Sequence, residues 1–124
     1  MKFVLSKTNR YWWPVTVRLP DPDQPGKMLE QTLKILFEPK DQDDALAEQT
    51  RIAAIKDPRA QVLAEREALA DVCKGWDDIV DDDKTAIPFT PENLMAALQK
   101  AWFRAAVYRA YGESLSGEEA RLGN

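Results

Sequence analysis

Near the start of the chain, apolar and polar residues alternate in two stretches. Between Tyr11 and Leu19, aromatic and β-branched residues dominate, and Val15, Val17 and Leu19 share one face of an extended strand. From Met28 to Phe37, Leu29, Leu33, Ile35 and Phe37 take one parity, while Thr32 and Lys34 take the other. This period of two predicts two half-buried strands. The segment between them, Pro20 to Lys27, is rich in Pro, Asp and Gly and too long for a two-residue turn, so a long-looped β-hairpin is expected. Phe3 to Leu5 is a candidate third strand. Pro14 cannot donate to a ladder, which places its strand at a sheet edge.

After Pro39 the texture changes to Ala, Leu, Glu, Gln and Arg, all good helix formers. Asp43 to Lys56 predicts a helix with a weak apolar stripe. Asp57 followed by Pro58 reads as an N-cap and first-turn proline, opening a second helix to about Lys74, with Val62, Leu69 and Cys73 on one side and Gly75 placed to end it. Asp77 to Pro88 reads as an acidic loop. Thr90, Pro91 and Glu92 then open a third helix expected to reach Tyr111 and stop near Gly112. The expected fold is α+β: an N-terminal β-hairpin or small antiparallel sheet followed by about three α-helices. It forms a single domain over 1–124, with a β-rich portion at 1–40, a helical portion at 41–112 and a polar tail at 113–124.

The strongest apolar signal is Leu94 to Tyr111, where fourteen of eighteen residues are apolar or Ala. At 100° per residue, Leu94, Leu98, Ala101, Trp102, Ala105 and Tyr108 share one face, while Ala96, Phe103, Val107, Ala110 and Tyr111 lie largely opposite. A helix apolar on two sides is either central to its domain or buries its second face in a partner. Phe103, Val107 and Tyr111 are therefore candidate partner-binding residues. Membrane insertion fits worse, because Lys100, Arg104 and Arg109 interrupt the segment. Trp12 and Trp13 are further candidates, since an exposed Trp on an edge strand presents a protein interface.

Composition narrows the chemistry. The 124 residues include no His and one Cys, which removes imidazole catalysis, intramolecular disulfides and the common zinc sites. Cys73, on the apolar side of its helix, is expected to be a buried, inert thiol. The five Gly are isolated and form no phosphate-cradling loop. No catalytic residue, cofactor site or metal site is expected, and the chain reads as a non-enzyme.

The net charge of -4 conceals an uneven distribution. Residues 1–40 hold seven Lys or Arg against four acids, residues 41–92 six against fourteen, and residues 93–124 four against three. The middle is strongly acidic. From Asp81 the acidic run mimics part of a calcium loop, with Asp83 third and Glu92 twelfth. However, Ala86 stands where such a loop needs Gly, and Pro88 and Pro91 interrupt it, so a solvated loop is expected. Lys7, Arg10 and Arg18 around Tyr11, Trp12 and Trp13 would suit single-stranded nucleic acid, but the overall acidity argues against it. The opening residues are too short an apolar run for a signal peptide, no stretch is apolar enough to span a bilayer, and a reduced Cys73 fits a cytoplasmic setting.

From Val72 the chain reads Val72-Cys73-Lys74-Gly75-Trp76-Asp77-Asp78-Ile79, then Pro88-Phe89-Thr90-Pro91-Glu92-Asn93-Leu94. In order and spacing, over about 40 residues from Val72 to Tyr111, this resembles the tail assembly chaperones of long-tailed bacteriophages and prophages. These often carry a Val-x-x-Gly-Trp-x-x-hydrophobic element, a short acidic insert, a Pro-Phe-Ser/Thr-x-Glu-Asn-Leu helix start and an Ala-rich helix ending in Tyr. Each element also has a structural reading: Gly75 stops a helix, Trp76 folds back onto the core, Phe89 staples the next helix and Thr90-Pro91 caps it.

The resemblance implies a non-enzymatic protein of the host bacterial cytoplasm. It would bind and solubilise the helical, hydrophobic tape measure protein, promote assembly of the major tail protein around it, and be absent from the mature virion. Homo-oligomerisation is a further expectation. Two alternatives compete: a structural tail or connector protein kept in the particle, and an acidic inhibitor that mimics nucleic acid in a host protein's basic groove.

Overall fold

Two ten-residue strands, β1 (Tyr11–Pro20) and β2 (Met28–Phe37), pair antiparallel along their whole length, from Tyr11 opposite Phe37 to Pro20 opposite Met28. The computed structural model describes residues 1–120. The connecting loop closes on itself: the Asp21 N–H donates to the Lys27 carbonyl at 2.9 Å, and the Asp21 side chain accepts from the Asp23 N–H and the Gln24 amide. Gly26 adopts φ 80°, a conformation glycine takes without a Cβ clash. Val15, Val17, Leu33, Ile35 and Phe37 are buried on one face, as their parity predicts.

The rest of the chain runs α1 (Gln42–Ala53), α2 (Pro58–Asp71), β3 (Cys73–Asp77), α3 (Pro91–Leu98) and α4 (Ala101–Leu115). The fold is α+β, with sheet order β1-β2-β3 and four helices among the described residues. The sheet's third strand is β3; Phe3 to Leu5 lie outside it, in an exposed segment without regular structure. The second helix ends at Asp71 rather than Lys74, because the chain leaves it to satisfy the open edge of β2. The Glu38 N–H donates to the Val72 carbonyl at 2.9 Å, and Ile35 and Leu36 then pair with Trp76 and Gly75. Gly75 is thus a strand residue opposite Leu36 and not a helix stop. Pro14 lies on an edge strand, as expected.

The caps sit where the sequence places them. Asp57 accepts from the Arg59 N–H at 3.4 Å and Thr90 from the Asn93 N–H at 3.0 Å, each with Pro at the first helical position. The third expected helix is two helices. Lys100 adopts an extended backbone (φ -77°, ψ 122°), which separates α3 from α4, and α4 runs past Gly112 to Leu115. The remaining polar tail is described as far as residue 120, and 121–124 lie outside the described residues.

The core lies between the sheet's inner face and α4, with α3 and the end of α2 closing one side; Phe37, Ile35, Leu98, Val15 and Val107 are its largest fully buried side chains. The peripheral helix α1 packs on α2 and buries only Ile52.

Candidate protein-interaction surface

The break before α4 decides which of its side chains are available. At the break, the Arg104 guanidinium donates to the Leu98 carbonyl at 2.8 Å and the Gln99 carbonyl at 3.4 Å, satisfying groups that the end of α3 would otherwise leave unpaired. The extended residue resets the helical phase, so the faces of α3 and α4 do not continue one another. Leu94 and Leu98 on α3 are buried as expected. On α4 the expected faces are exchanged: Ala106, Val107 and Ala110 are buried against the sheet, while Trp102 and Tyr108 stand exposed at 45% and 47%.

The five candidate residues accordingly occupy different places. Val107 is 0% exposed and belongs to the core, so it offers no surface to a partner. Tyr111 packs on Phe37, ring centroids 5.3 Å apart, and turns toward a cleft between α1, α2 and α4. Phe103 is half-buried against the core and borders a second cleft. Trp12 lies half-exposed on the outer face of the sheet, over Gly75. Trp13 points the other way, edge-on to Tyr11 at 6.1 Å, and its buried indole N–H has no hydrogen-bond partner among the described residues. The structure therefore does not bring the five together.

The first cleft, of about 490 Å³, is held by ion pairs. The Lys40 amine meets Glu48 at 2.5 Å and Asp71 at 3.3 Å. Burial, the largest single influence, would lower its pKa, but the hydrogen bonds and negative charges of Glu48 and Asp71 together outweigh it and hold the amine above the ordinary lysine value. Tyr108 and Tyr111 line the same cleft, and burial pushes both phenols up.

The second cleft, of about 670 Å³, lies at the opposite end of the sheet. There Val17 and Leu19 form an apolar floor flanked by Trp102, Phe103 and Val80. Asp78, Asp81 and Asp82 stand along one wall, with Lys84 beside them and Lys100 also at the cleft. The acidic loop is solvent-exposed from Asp81 to Ala86, as expected, and it is also structured. Val80 bridges Ala86, and one Asp81 carboxylate oxygen accepts from the Asp83 and Thr85 N–H groups at 2.9 and 3.0 Å. Asp81 thus serves its own turn, and Asp78 pairs with Lys34 at 3.6 Å. No group of three or more His, Cys, Asp or Glu is placed to hold a metal ion among the described residues.

Sequence reasoning passed over Trp102 and Val80 as surface residues. A single helical phase run through Lys100 groups Trp102 with Leu94 and Leu98, and Val80 lies inside a segment whose pattern is dominated by charge. Hydrophobicity within the acidic loop was the available signal.

Two contacts tie down the edge strand beside this cleft. Arg109 donates to the Thr16 carbonyl at 2.7 Å, bridging α4 to β1. At the other end of β1, the Tyr11 hydroxyl meets Ser114 Oγ at 2.7 Å. Ser114 donates its only hydroxyl hydrogen to the Tyr111 carbonyl, so Tyr11 is the donor of that pair. The Arg10 guanidinium pairs with Glu38 at 2.6 Å and holds that carboxyl below the usual carboxylate range.

No helix among the described residues is long and apolar enough to cross a membrane. Comparison with protein-family models, with characterised proteins and with solved structures finds no match.

Proposed function

We propose that this chain is a tail assembly chaperone of the long-tailed phage type, which binds and solubilises a tape measure protein and promotes assembly of the tail tube around it. The observation that carries the reading is the cleft beside Trp102, where an exposed indole, Phe103 and Val80 flank an apolar floor next to an acidic wall. An apolar helical segment of a client needs such a surface to leave water, and the carboxylates around it keep the loaded carrier dispersed. The resemblance from Val72 to Tyr111 supports the same role, because Ile79, Trp102 and Phe103, which line the cleft, fall within that stretch.

The role is non-enzymatic and calls for no cofactor. Its setting is the host bacterial cytoplasm, and the protein leaves before the virion is complete. The partner surface of α4 is Trp102 with Phe103, not Val107.

Co-expression with a long helical tape measure protein tests the reading. The client should become soluble and co-purify with the wild-type chain but not with Trp102→Glu. A client equally insoluble with and without the chain would refute it. Mass spectrometry of purified particles should miss the protein; finding it at a defined copy number would assign it instead to the tail structure.

A further inference from the structure

The outward face of α2 carries a patch of different chemistry, separate from the Trp102 cleft. Arg59, Val62, Leu63 and Arg66 recur at the three- and four-residue spacing that places them on one side of the helix, where with Pro58 they line a shallow cleft of about 370 Å³. Val62 and Leu63 are 51% and 45% exposed. Neither arginine has an ion pair among the described residues, and the Arg66 Nε–H is buried without a hydrogen-bond partner there. The lining holds two cations, three apolar residues and no acid. The nearby carboxylates are engaged elsewhere or turned aside: Asp57 caps the helix, and Glu65 and Glu67 each lie about 100° around it from Arg66. A buried guanidinium N–H left unpaired is costly, and a carboxylate is its strongest partner.

We propose that this face of α2 docks an acidic amphipathic helix of a partner protein, with carboxylates seven residues apart over Arg59 and Arg66 and two apolar side chains between them on Val62 and Leu63. The unpaired guanidinium groups at the two ends call for negative charge, and their separation along the axis, about 10 Å, is that of an i, i+7 pair on an opposing helix. A ridge at three- and four-residue spacing packs into the grooves of a second helix. A broad polyanion such as a nucleic acid fits worse, because it would spread across the ridge onto Glu65 and Glu67. A second α2 laid on the same strip would oppose arginine with arginine, so the patch is not self-complementary. No helix of this chain among the described residues carries two acids seven residues apart, so the fitting occupant is another protein. The inference concerns α2 alone and stands apart from the chaperone reading.

Fluorescence anisotropy of labelled synthetic helices with the full chain tests it. An Ala-rich helix carrying Glu-x-x-Leu-Leu-x-x-Glu should bind about tenfold more tightly than the same helix with Lys in place of both Glu, and its binding should weaken as salt rises. Arg59→Glu, at an exposed position, should weaken the acidic helix several-fold. Arg59→Glu with Arg66→Glu should reverse the preference toward the Lys helix, a gain that an unfolded chain would not show. Trp102→Glu should leave the acidic helix bound as before. A wild-type chain that binds neither helix, or both equally, would overturn the proposal. So would binding that survives Arg59→Glu unchanged, or that Trp102→Glu abolishes, since the helix would then sit in another cleft.

Discussion

The Trp76 indole Nε1 donates a 2.8 Å hydrogen bond to the Ile87 carbonyl, joining the last strand of the sheet to the far side of the acidic loop. The same ring meets Phe89 edge-on, centroids 5.4 Å apart, just before the Thr90 cap of α3. One side chain thus closes the loop and sets where the next helix begins. Trp76→Phe keeps an aromatic ring against Phe89 but leaves the Ile87 carbonyl without its donor. A loss of about 1–2 kcal/mol is expected from urea unfolding.

Gly75 offers a test by sign. As a helix-ending glycine it would need a left-handed backbone, and alanine there would cost about 1 kcal/mol. As the strand residue observed, it lies outside that region, and an added Cβ would meet Leu36 Cβ at 3.5 Å and the Trp12 ring at 3.7 Å, both ordinary contacts. Gly75→Ala should therefore be neutral or stabilise by up to about 1 kcal/mol, chiefly by restricting the unfolded chain. A raised or unchanged thermal midpoint is the expected reading.

Val107 and Trp102 lie on opposite faces of α4 and should separate stability from binding. Val107→Ala removes buried methyl groups from the core and should cost about 2 kcal/mol in denaturant unfolding. Trp102→Ser changes a half-exposed position and should cost less, while the proposed chaperone role requires it to abolish solubilisation of a tape measure protein. If Trp102→Ser unfolds the chain and Val107→Ala does not, the faces of α4 are misassigned.

Alkaline pH should weaken the fold. Burial pushes the Cys73 thiol up to about 12, against about 8.5 in an unfolded chain. Between those values the folded state retains a proton that the unfolded state releases. The contribution to stability is full below about pH 8.5 and is lost as pH rises toward 12. Tyr108, Tyr111 and Lys40, all raised in the folded state, lose stability in the same direction at higher pH. Urea midpoints should fall by the equivalent of about 1 kcal/mol between pH 8 and 9.5. In Cys73→Ala the decline should begin later, and in the native wild type the thiol should resist alkylation at pH 8.

The hairpin and the helix starts were legible because their signals are local. A period of two needs only neighbours in sequence, and Asp57-Pro58 and Thr90-Pro91 act through their own backbone. By contrast, Cys73 to Asp77 carries no alternation and becomes a strand only because the far edge of β2 needs partners. Nor does the break at Lys100 have a breaker residue, since Gln99 and Lys100 are good helix formers. Packing imposes it: α3 rests on α2 while α4 rests on β1. That break turns Trp102 to the surface and Val107 into the core. Phe103 alone of the three α4 candidates borders the apolar cleft, and the contribution of Val80 depends on a turn that only the folded loop creates.

The central strand β2 finds one neighbour across the seven-residue loop 21–27 and the other only after both α1 and α2 have been threaded past. The first pairing closes cheaply, whereas the second must wait until the chain from Glu38 to Val72 has been gathered. Folding should therefore proceed from the hairpin outward, with β3 docking late. The transition state would sense Ile35 and Val15 more strongly than Trp76. Lengthening the connection between α1 and α2 should then slow folding more than it alters equilibrium stability.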